Sequence, residues 1–126
     1  MASESPIRVQ GFRGATTVEH DTAEDILDAT EELLHALVDA NGIGPDDIVS
    51  AIFTVTTDLV ATFPARASRR MGWDGVAILH TTEIPVPGSL PRCIRVLVHA
   101  YSARPRDQVR HAYLRAATVL RPDRSR

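Results

Sequence analysis

The chain has 126 residues, 44% hydrophobic and 24% charged, which is typical of one globular domain with a hydrophobic core. No apolar run reaches the ~20 residues of a membrane-spanning helix, the N-terminus lacks a signal-peptide pattern, and a single cysteine, Cys93, excludes an internal disulfide. We therefore expect a cytoplasmic protein with one domain over residues 1–126 and flexible ends at residues 1–6 and 122–126.

The charge distribution is unusual in two respects. All 14 basic residues are arginine, which excludes Schiff-base lysine chemistry and a phosphate-loop lysine. Residues 1–60 carry 2 arginines and 12 acidic residues, whereas residues 61–126 carry 12 arginines and 4 acidic residues, so net charges of −10 and +8 give the overall −2. The second half favours an anionic partner, although two solvated faces that attract each other would give the same pattern.

The chain begins with a predicted short strand over residues 7–12. The segment that follows, Arg13-Gly14-Ala15-Thr16-Thr17, is interpreted either as a polar turn or as a corner that holds an anion. The spacing of these residues does not distinguish the two possibilities.

A long amphipathic helix is predicted next. Asp21 is its predicted N-cap, Glu24 completes a pattern close to a capping box, and Asn41-Gly42 ends it. Its core-facing stripe consists of Ile26, Leu27, Thr30, Leu33, Leu34, Leu37 and Val38. The helix is predicted to be scaffold, because its acidic residues lie largely off this stripe.

The rest of the chain predicts three strands and two short helices. The strands are predicted over residues 48–56, 76–82 and 92–101, and the helices over residues 63–71 and 107–114. Pro64 suits the first turn of the helix over residues 63–71, and the spacing of Arg66, Arg69 and Arg70 predicts that they share one side of it. Residues 84–91 are predicted to be a link, since Pro87 and Pro91 lack the N–H group of a central strand.

The strand over residues 92–101 carries a charge in its middle. Ile94, Val96, Val98 and Ala100 form one apolar face at a period of two residues, and Arg95 lies on the other face. Burying an unpaired guanidinium costs several kcal/mol, so Arg95 must reach solvent, pair with a carboxylate or bind an anionic ligand. We favour the ligand.

Several kinds of catalytic site are absent from the sequence. It has no phosphate loop with lysine, no His-x-x-x-His pair and no Gly-x-Ser-x-Gly elbow, and its histidines show no metal spacing. His99 is interpreted as a hydrogen-bonded structural histidine and Cys93 as a small buried residue. The remaining arginines, a tyrosine and Glu83 at a strand end suit anion binding and electrostatic stabilisation without a covalent intermediate, metal or cofactor.

Seven segments, in order, resemble the small monofunctional bacterial chorismate mutases of the trimeric pseudo-α/β-barrel type. The resemblance covers the chain from about residue 7 to residue 123. The matching segments are Gly11-Phe12-Arg13-Gly14-Ala15-Thr16-Thr17-Val18-Glu19, Phe53-Thr54-Val55-Thr56-Thr57-Asp58-Leu59, Phe63-Pro64-Ala65, Glu83-Ile84-Pro85-Val86-Pro87-Gly88-Ser89-Leu90, Cys93-Ile94-Arg95-Val96-Leu97, Arg110-His111-Ala112-Tyr113-Leu114 and Leu120-Arg121-Pro122-Asp123.

This resemblance implies an α+β fold, with a mixed β-sheet that has helices on one face and a homotrimer that forms a pseudo-α/β barrel. It implies an isomerase that rearranges chorismate to prephenate in the shikimate pathway, toward the aromatic amino acids. It also implies that the substrate is a dicarboxylate bound at subunit interfaces, and that no cofactor, metal, nucleic acid or membrane is involved.

The resemblance also implies roles for individual residues. Arg95 corresponds to the arginine that hydrogen-bonds the ether oxygen, and Glu83 to the carboxylate that accepts from the ring hydroxyl. Arg13 and Tyr113 correspond to groups that hold the side-chain carboxylate and the ether region. The positions that line or close the pocket correspond to Phe63, Arg66, Arg69, His80, Leu120 and Arg121.

Two positions depart from the family pattern, and two other functions remain open. His80 stands where a small residue such as cysteine occurs near the ring hydroxyl, and Gln10 stands where an arginine can occur. Arg66 stands at a position where the family also has a lysine. One alternative is an imine-hydrolysing deaminase of a similarly shaped trimeric family. The other is a non-catalytic module that binds carboxylates or nucleic acid, although the aromatic content of 5% disfavours stacking on bases.

Overall fold

The computed structural model describes residues 6–120. Its regular elements are β1 (Arg8–Thr17), α1 (Ala23–Asn41), β2 (Ile48–Val55), β3 (Ala77–Thr82), β4 (Cys93–Ser102) and β5 (Ala112–Tyr113). Short 3₁₀ helices span Pro45–Asp47, Pro64–Met71, Arg106–Gln108 and Arg115–Leu120. The predicted flexible ends lie outside the described residues, apart from Pro6. Within residues 6–120, no helix is long and apolar enough to cross a membrane.

The five strands form one mixed sheet in the order β3-β2-β4-β1-β5. The central strand β4 is antiparallel to both of its neighbours, β1 and β2. The outer strands are parallel to the strands that they join, β3 to β2 and β5 to β1. With α1 packed on one face, this arrangement confirms the predicted α+β fold with a mixed sheet.

The main core lies between α1 and one face of the sheet. Phe12, Phe53 and Val98 from three strands pack against Leu33 and Leu37 of α1, and all five are fully buried. Burying an aliphatic or aromatic side chain of this size contributes about 1.5–3 kcal/mol, so this face holds the fold together. The alternation predicted for β4 is confirmed, because its apolar face points into this core.

The N-cap of α1 is one residue later than predicted. The Oγ1 atom of Thr22 accepts a hydrogen bond from the backbone N–H of Asp25, whereas Asp21 accepts from the N–H groups of Val60 and Ala61 at 3.0 Å. Asp21 therefore fixes the loop after β2, and Thr22 takes the capping role. The predicted C-terminal signal is confirmed, since Gly42 has φ of 65° and its N–H bonds Val38.

The predicted polar turn at residues 13–17 is wrong, because the first strand does not end at residue 12. These residues continue β1, which pairs with β4 from Arg8 to Thr17 without interruption. Gly14 permits this pairing beneath α1, because a Cβ atom there would lie 2.9 Å from Cδ1 of Leu33. The glycine therefore marks a close approach of helix and strand.

The predicted helix over residues 107–114 is also wrong. The chain forms a short 3₁₀ turn at Arg106–Gln108 and then the two-residue strand β5. The N–H of Leu114 donates to the carbonyl of Ala15 at 2.9 Å. Pairing with the free edge of β1 therefore outweighs the helical propensity of this segment.

Candidate active site

The face of the sheet opposite α1 carries an arginine, a carboxylate and a threonine in contact. Thr54 of β2 lies beside Arg95 of β4 in the strand register, and Glu83 follows the end of β3. Arg95 Nε lies 3.5 Å from Glu83 Oε2, and the Thr54 hydroxyl donates to the same carboxylate oxygen. The Arg95 side chain is 48% exposed, so it meets a carboxylate and solvent together, two of the three outcomes considered for it.

Arg13 and Tyr113 complete this group. They line a cavity of about 230 Å³ together with Arg95 and Glu83. The four residues to which the resemblance assigns catalytic roles thus meet at one cavity, and the roles themselves stay a prediction. Arg13 lies on the same face as Arg95 because β1 pairs with β4 in register, and β5 brings Tyr113 beside Ala15. These four side chains lie close together because of the strand order, which cannot be predicted from the spacing of the residues along the sequence.

A second cavity, of about 610 Å³, adjoins the first and shares Arg95 and Glu83 with it. Leu120, which the resemblance assigns to the pocket, lies in its wall, whereas Arg121 lies outside the described residues. Cys93 also lines the cavity but is 1% exposed, and burial raises the pKa of its thiol, partly offset by Arg95. A protonated, buried thiol is no nucleophile, which fits the interpretation of Cys93 as a packing residue.

The other predicted pocket residues lie together elsewhere. Phe63, Arg66, Arg69 and His80 line a cavity of about 460 Å³ beside β3, with Trp73 in its wall. The predicted helix over residues 63–71 is a 3₁₀ helix with Pro64 in its first turn. Its three-residue turn places Arg66 and Arg69 on one side.

Arg70 does not share that side. Its guanidinium pairs with Glu31 at 3.0 Å and lies 3.9 Å from Asp28, both on α1. Because a 3₁₀ helix has three residues per turn, positions 66 and 69 coincide and position 70 is rotated away. The predicted side shared by three arginines is therefore wrong for Arg70.

The His80 ring is held by three contacts. It lies against Phe53 and Phe63, with ring centroids 5.8 and 5.1 Å away, and its Nε2 accepts a hydrogen bond from the Ala65 N–H at 3.3 Å. Partial burial lowers the pKa of His80, which favours the neutral form that can accept this bond. The imidazole thus lies beside Phe63, and no acidic side chain of residues 6–120 pairs with it.

The two groups of predicted site residues lie on opposite sides of the sheet edge. His80 is paired with the fully buried Phe53 and faces the α1 side, whereas Glu83 bonds Thr54 on the face opposite α1. The cavity beside Phe63 shares no lining residue with the cavities around Arg95. Within residues 6–120, the two groups therefore line separate cavities of one chain.

The structure also shows polar contacts that the sequence did not predict. Thr54 is one, although the alternation of the strand over residues 48–56 could have placed its hydroxyl near the end of β3. The bond from the Arg13 N–H to His111 Nδ1, at 3.0 Å, is another, and it depends on β5, which was not foreseen. His99 bonds Ser50 through Nδ1 at 3.1 Å, which confirms it as a hydrogen-bonded histidine.

Among residues 6–120, no three His, Cys, Asp or Glu side chains are close enough to hold a metal ion.

Comparison with known proteins places this site in a family. Residues 9–124 match the family model described as chorismate mutase type I. Chorismate mutase AroH of Thermus thermophilus is 53% identical over 116 residues, covering 91% of this chain and 95% of that protein. The protein of the same name from Bacillus subtilis (strain 168) is 45% identical over 118 residues, covering 93% of each.

A solved structure leads to the same family. The chorismate mutase from Clostridium thermocellum superposes with a TM-score of 0.86 at 47% identity, covering 87% of this chain and 98% of that one. The family resemblance found in the sequence is thus confirmed by sequence and by fold. This chain belongs to the type I chorismate mutase family.

Proposed function

We propose that this protein is an isomerase that converts chorismate to prephenate, a step toward the aromatic amino acids. The observation that carries the proposal is the meeting of Arg95, Glu83, Arg13 and Tyr113 at one cavity, in a chain that belongs to this family. The reaction is an intramolecular rearrangement in which one C–O bond breaks as one C–C bond forms. It needs neither a nucleophile nor a cofactor.

Arg95 has the central role in the proposed mechanism. Negative charge builds on the ether oxygen as the C–O bond breaks, and a guanidinium fixed beside that oxygen stabilises the transition state more than the substrate. The contact with Glu83 holds Arg95 in place before substrate arrives, so little reorganisation is needed during the reaction. Groups that stabilise a developing oxyanion in this way contribute roughly 2.7–4 kcal/mol each.

Glu83 and the other arginines position the substrate. Glu83 accepts from the ring hydroxyl, while the bond from Thr54 keeps the carboxylate oriented. Chorismate carries two carboxylates, so a dianionic substrate accounts for the excess of arginine in the second half of the chain. We assign one carboxylate to the region of Arg13 and Tyr113, and the other to Arg69 in the cavity beside Phe63. Holding both ends selects the compact conformer in which the reacting carbons meet.

The complete site is proposed to form between subunits of a homotrimer. The residues beside Phe63 lie on the opposite side of the sheet edge from Arg95, so they can serve a neighbour's site. The face opposite α1 also carries exposed apolar side chains that suit an interface, including Leu79 at 69% exposure and Tyr101 at 51%. Three such faces packed together would give the pseudo-barrel implied by the family resemblance.

Chorismate turnover tests the proposal directly. Purified protein should remove chorismate absorbance catalytically, and prephenate should be the product. Saturable, salt-sensitive chorismate binding without turnover would instead indicate a carboxylate-binding module. Ammonia release from an enamine substrate, with chorismate unchanged, would indicate a deaminase.

A further inference from the structure

The imidazole of His111 extends the pairing of β1 with β5. β5 contributes only two residue pairs, Gly14 with Ala112 and Ala15 with Tyr113. One residue before this ladder, the backbone N–H of Arg13 donates to His111 Nδ1 at 3.0 Å. A side-chain nitrogen thus accepts the bond that a backbone carbonyl would accept in a longer ladder. This bond links the backbone of Arg13 to the segment that carries Tyr113.

The neighbouring backbone is anchored independently. The Asn41 side chain at the end of α1 donates to the Arg110 carbonyl at 2.7 Å and accepts from the Arg110 N–H at 2.8 Å. On the other side of His111, the Leu114 N–H bonds the carbonyl of Ala15. Of the contacts that hold this segment against β1, the imidazole contact is the one that a proton can break.

We propose that neutral His111 is a positioning residue for the proposed reaction, and that protonation of its ring releases the backbone of Arg13 from the strand that carries Tyr113. The proposal rests on the function proposed above, since it gives Arg13 and Tyr113 their roles. His111 itself does not line the cavity around Arg95.

The chemistry of imidazole makes this contact dependent on the proton. Nδ1 can accept a hydrogen bond only if the neutral ring carries its proton on Nε2. In the imidazolium both nitrogens carry protons, so Nδ1–H and the Arg13 N–H would face each other as two donors. The contact therefore exists in one protonation state only.

The surroundings of the ring favour the neutral form. Burial and then the charge of Arg13 lower the pKa of His111. Arg8 of β1 and Arg106 of the 3₁₀ turn line the cleft beside the ring, and Arg110 precedes it in the chain. The group that α1 presents to this segment is the uncharged amide of Asn41. The acidic neighbour, Asp107 in the same turn, does not line the cleft.

The sign of the pH effect follows from the lowered pKa. The contact is fully formed above the ordinary histidine pKa of about 6.5 and is lost as the pH falls through the lower value in the folded protein. We expect kcat/KM for chorismate to fall on that acid limb by about five- to tenfold, the cost of one hydrogen bond between neutral partners.

Two substitutions separate this role from mere packing. His111→Asn places an amide oxygen, which accepts but does not titrate, near the position of Nδ1. Its kcat/KM should match wild type near pH 8 and lack the histidine limb. His111→Leu removes the acceptor. At every pH its kcat/KM should be five- to tenfold below that of wild type at pH 8, also without the histidine limb. The same acid limb in wild type and His111→Asn would overturn the proposal.

A spectroscopic measurement keeps the test independent of turnover. In wild-type protein, the amide resonance of Arg13 should titrate together with the His111 ring nitrogens, and the neutral ring should be the Nε2–H tautomer. An Arg13 amide that does not respond to His111 protonation would overturn the contact. A normal titration together with no chorismate turnover at any pH would refute the proposed function instead.

Discussion

Arg95 and Glu83 meet above Thr54, with Arg95 Nε 3.5 Å from Glu83 Oε2. The two side chains are 48% and 26% exposed, and an ion pair in such a setting contributes only ~0–1 kcal/mol to stability. Stability alone therefore gives little reason for this arrangement. Its effect is to orient a guanidinium and a carboxylate toward the same open cavity, which fits a role in binding and rearranging an anionic substrate.

Replacing Glu83 by glutamine should impair catalysis while leaving the fold intact. The amide keeps the shape but loses the charge that the proposed mechanism uses to accept from the ring hydroxyl and to orient Arg95. Hydrogen bonds to charged groups contribute about 1.5–3 kcal/mol, so kcat/KM should fall by roughly 10- to 150-fold. Steady-state kinetics measure the effect. Thr54→Val serves as a graded control and should cost tenfold at most; unchanged kcat/KM in Glu83→Gln would remove Glu83 from the mechanism.

The sequence predicted the elements whose side chains alternate or repeat in a simple pattern. The two-residue period of β4 and the apolar stripe of α1 were sufficient to predict these two elements, because each pattern identifies the side of the element that faces the core. The motif order also indicated the family, and with it the site residues that strand order brings together. The separation of Phe63 from Arg95 on opposite sides of the sheet edge is a property of topology, which no local pattern encodes.

The errors occurred where tertiary pairing overrides local preference. Residues 13–17 contain a glycine and two threonines, a composition typical of turns, yet β4 offers partners along the whole segment. Residues 107–114 have no glycine or proline, yet they do not form an α-helix. After the 3₁₀ turn at Arg106–Gln108, the chain is extended and hydrogen-bonds the free edge of β1, partly through the imidazole of His111. In both cases a long-range hydrogen-bond partner decided the structure.

Two adjacent arginines should behave differently when replaced by alanine. Arg69 lines the cavity beside Phe63 and is proposed to help hold a substrate carboxylate, whereas Arg70 pairs with Glu31 on α1. Arg69→Ala should raise KM for chorismate by about tenfold or more. Arg70→Ala should leave KM within about twofold, because it removes only an exposed ion pair. Equal effects in the two variants would mean that this cavity does not bind substrate.

Gly14 should tolerate no side chain without loss of stability. A Cβ atom would lie 2.9 Å from Leu33 Cδ1 and 3.3 Å from the Ala112 carbonyl oxygen, inside a packed core. Gly14→Ala should lower the free energy of unfolding by about 1–3 kcal/mol in urea titrations. Gly75→Ala is the matched control, because a Cβ atom added there would meet nothing within 4 Å beyond its chain neighbours, and the change should be near neutral. A Gly14→Ala protein as stable as wild type would argue against the tight approach of α1 to β1.

Mixing two impaired variants tests whether the site is shared between subunits. Arg95→Ala and Arg69→Ala remove different halves of the proposed composite site. Co-expression of differently tagged chains, assayed at chorismate concentrations well below KM, should yield mixed oligomers with roughly one quarter of wild-type kcat/KM, since one interface in four then joins two intact halves. Homo-oligomers of either variant should stay impaired. Mixed oligomers no more active than the average of the two parents would place both residues in one subunit's site.

The most direct test of the central claim is chorismate turnover by wild-type protein and by Arg95→Ala, with Arg70→Ala as a control for loss of an arginine. The account predicts catalytic formation of prephenate by wild type and by Arg70→Ala. For Arg95→Ala it predicts a loss of about 10²- to 10³-fold in kcat with the fold and oligomer retained. Near wild-type turnover by folded Arg95→Ala would contradict the account, because charge on the breaking ether bond would then be stabilised by some other group.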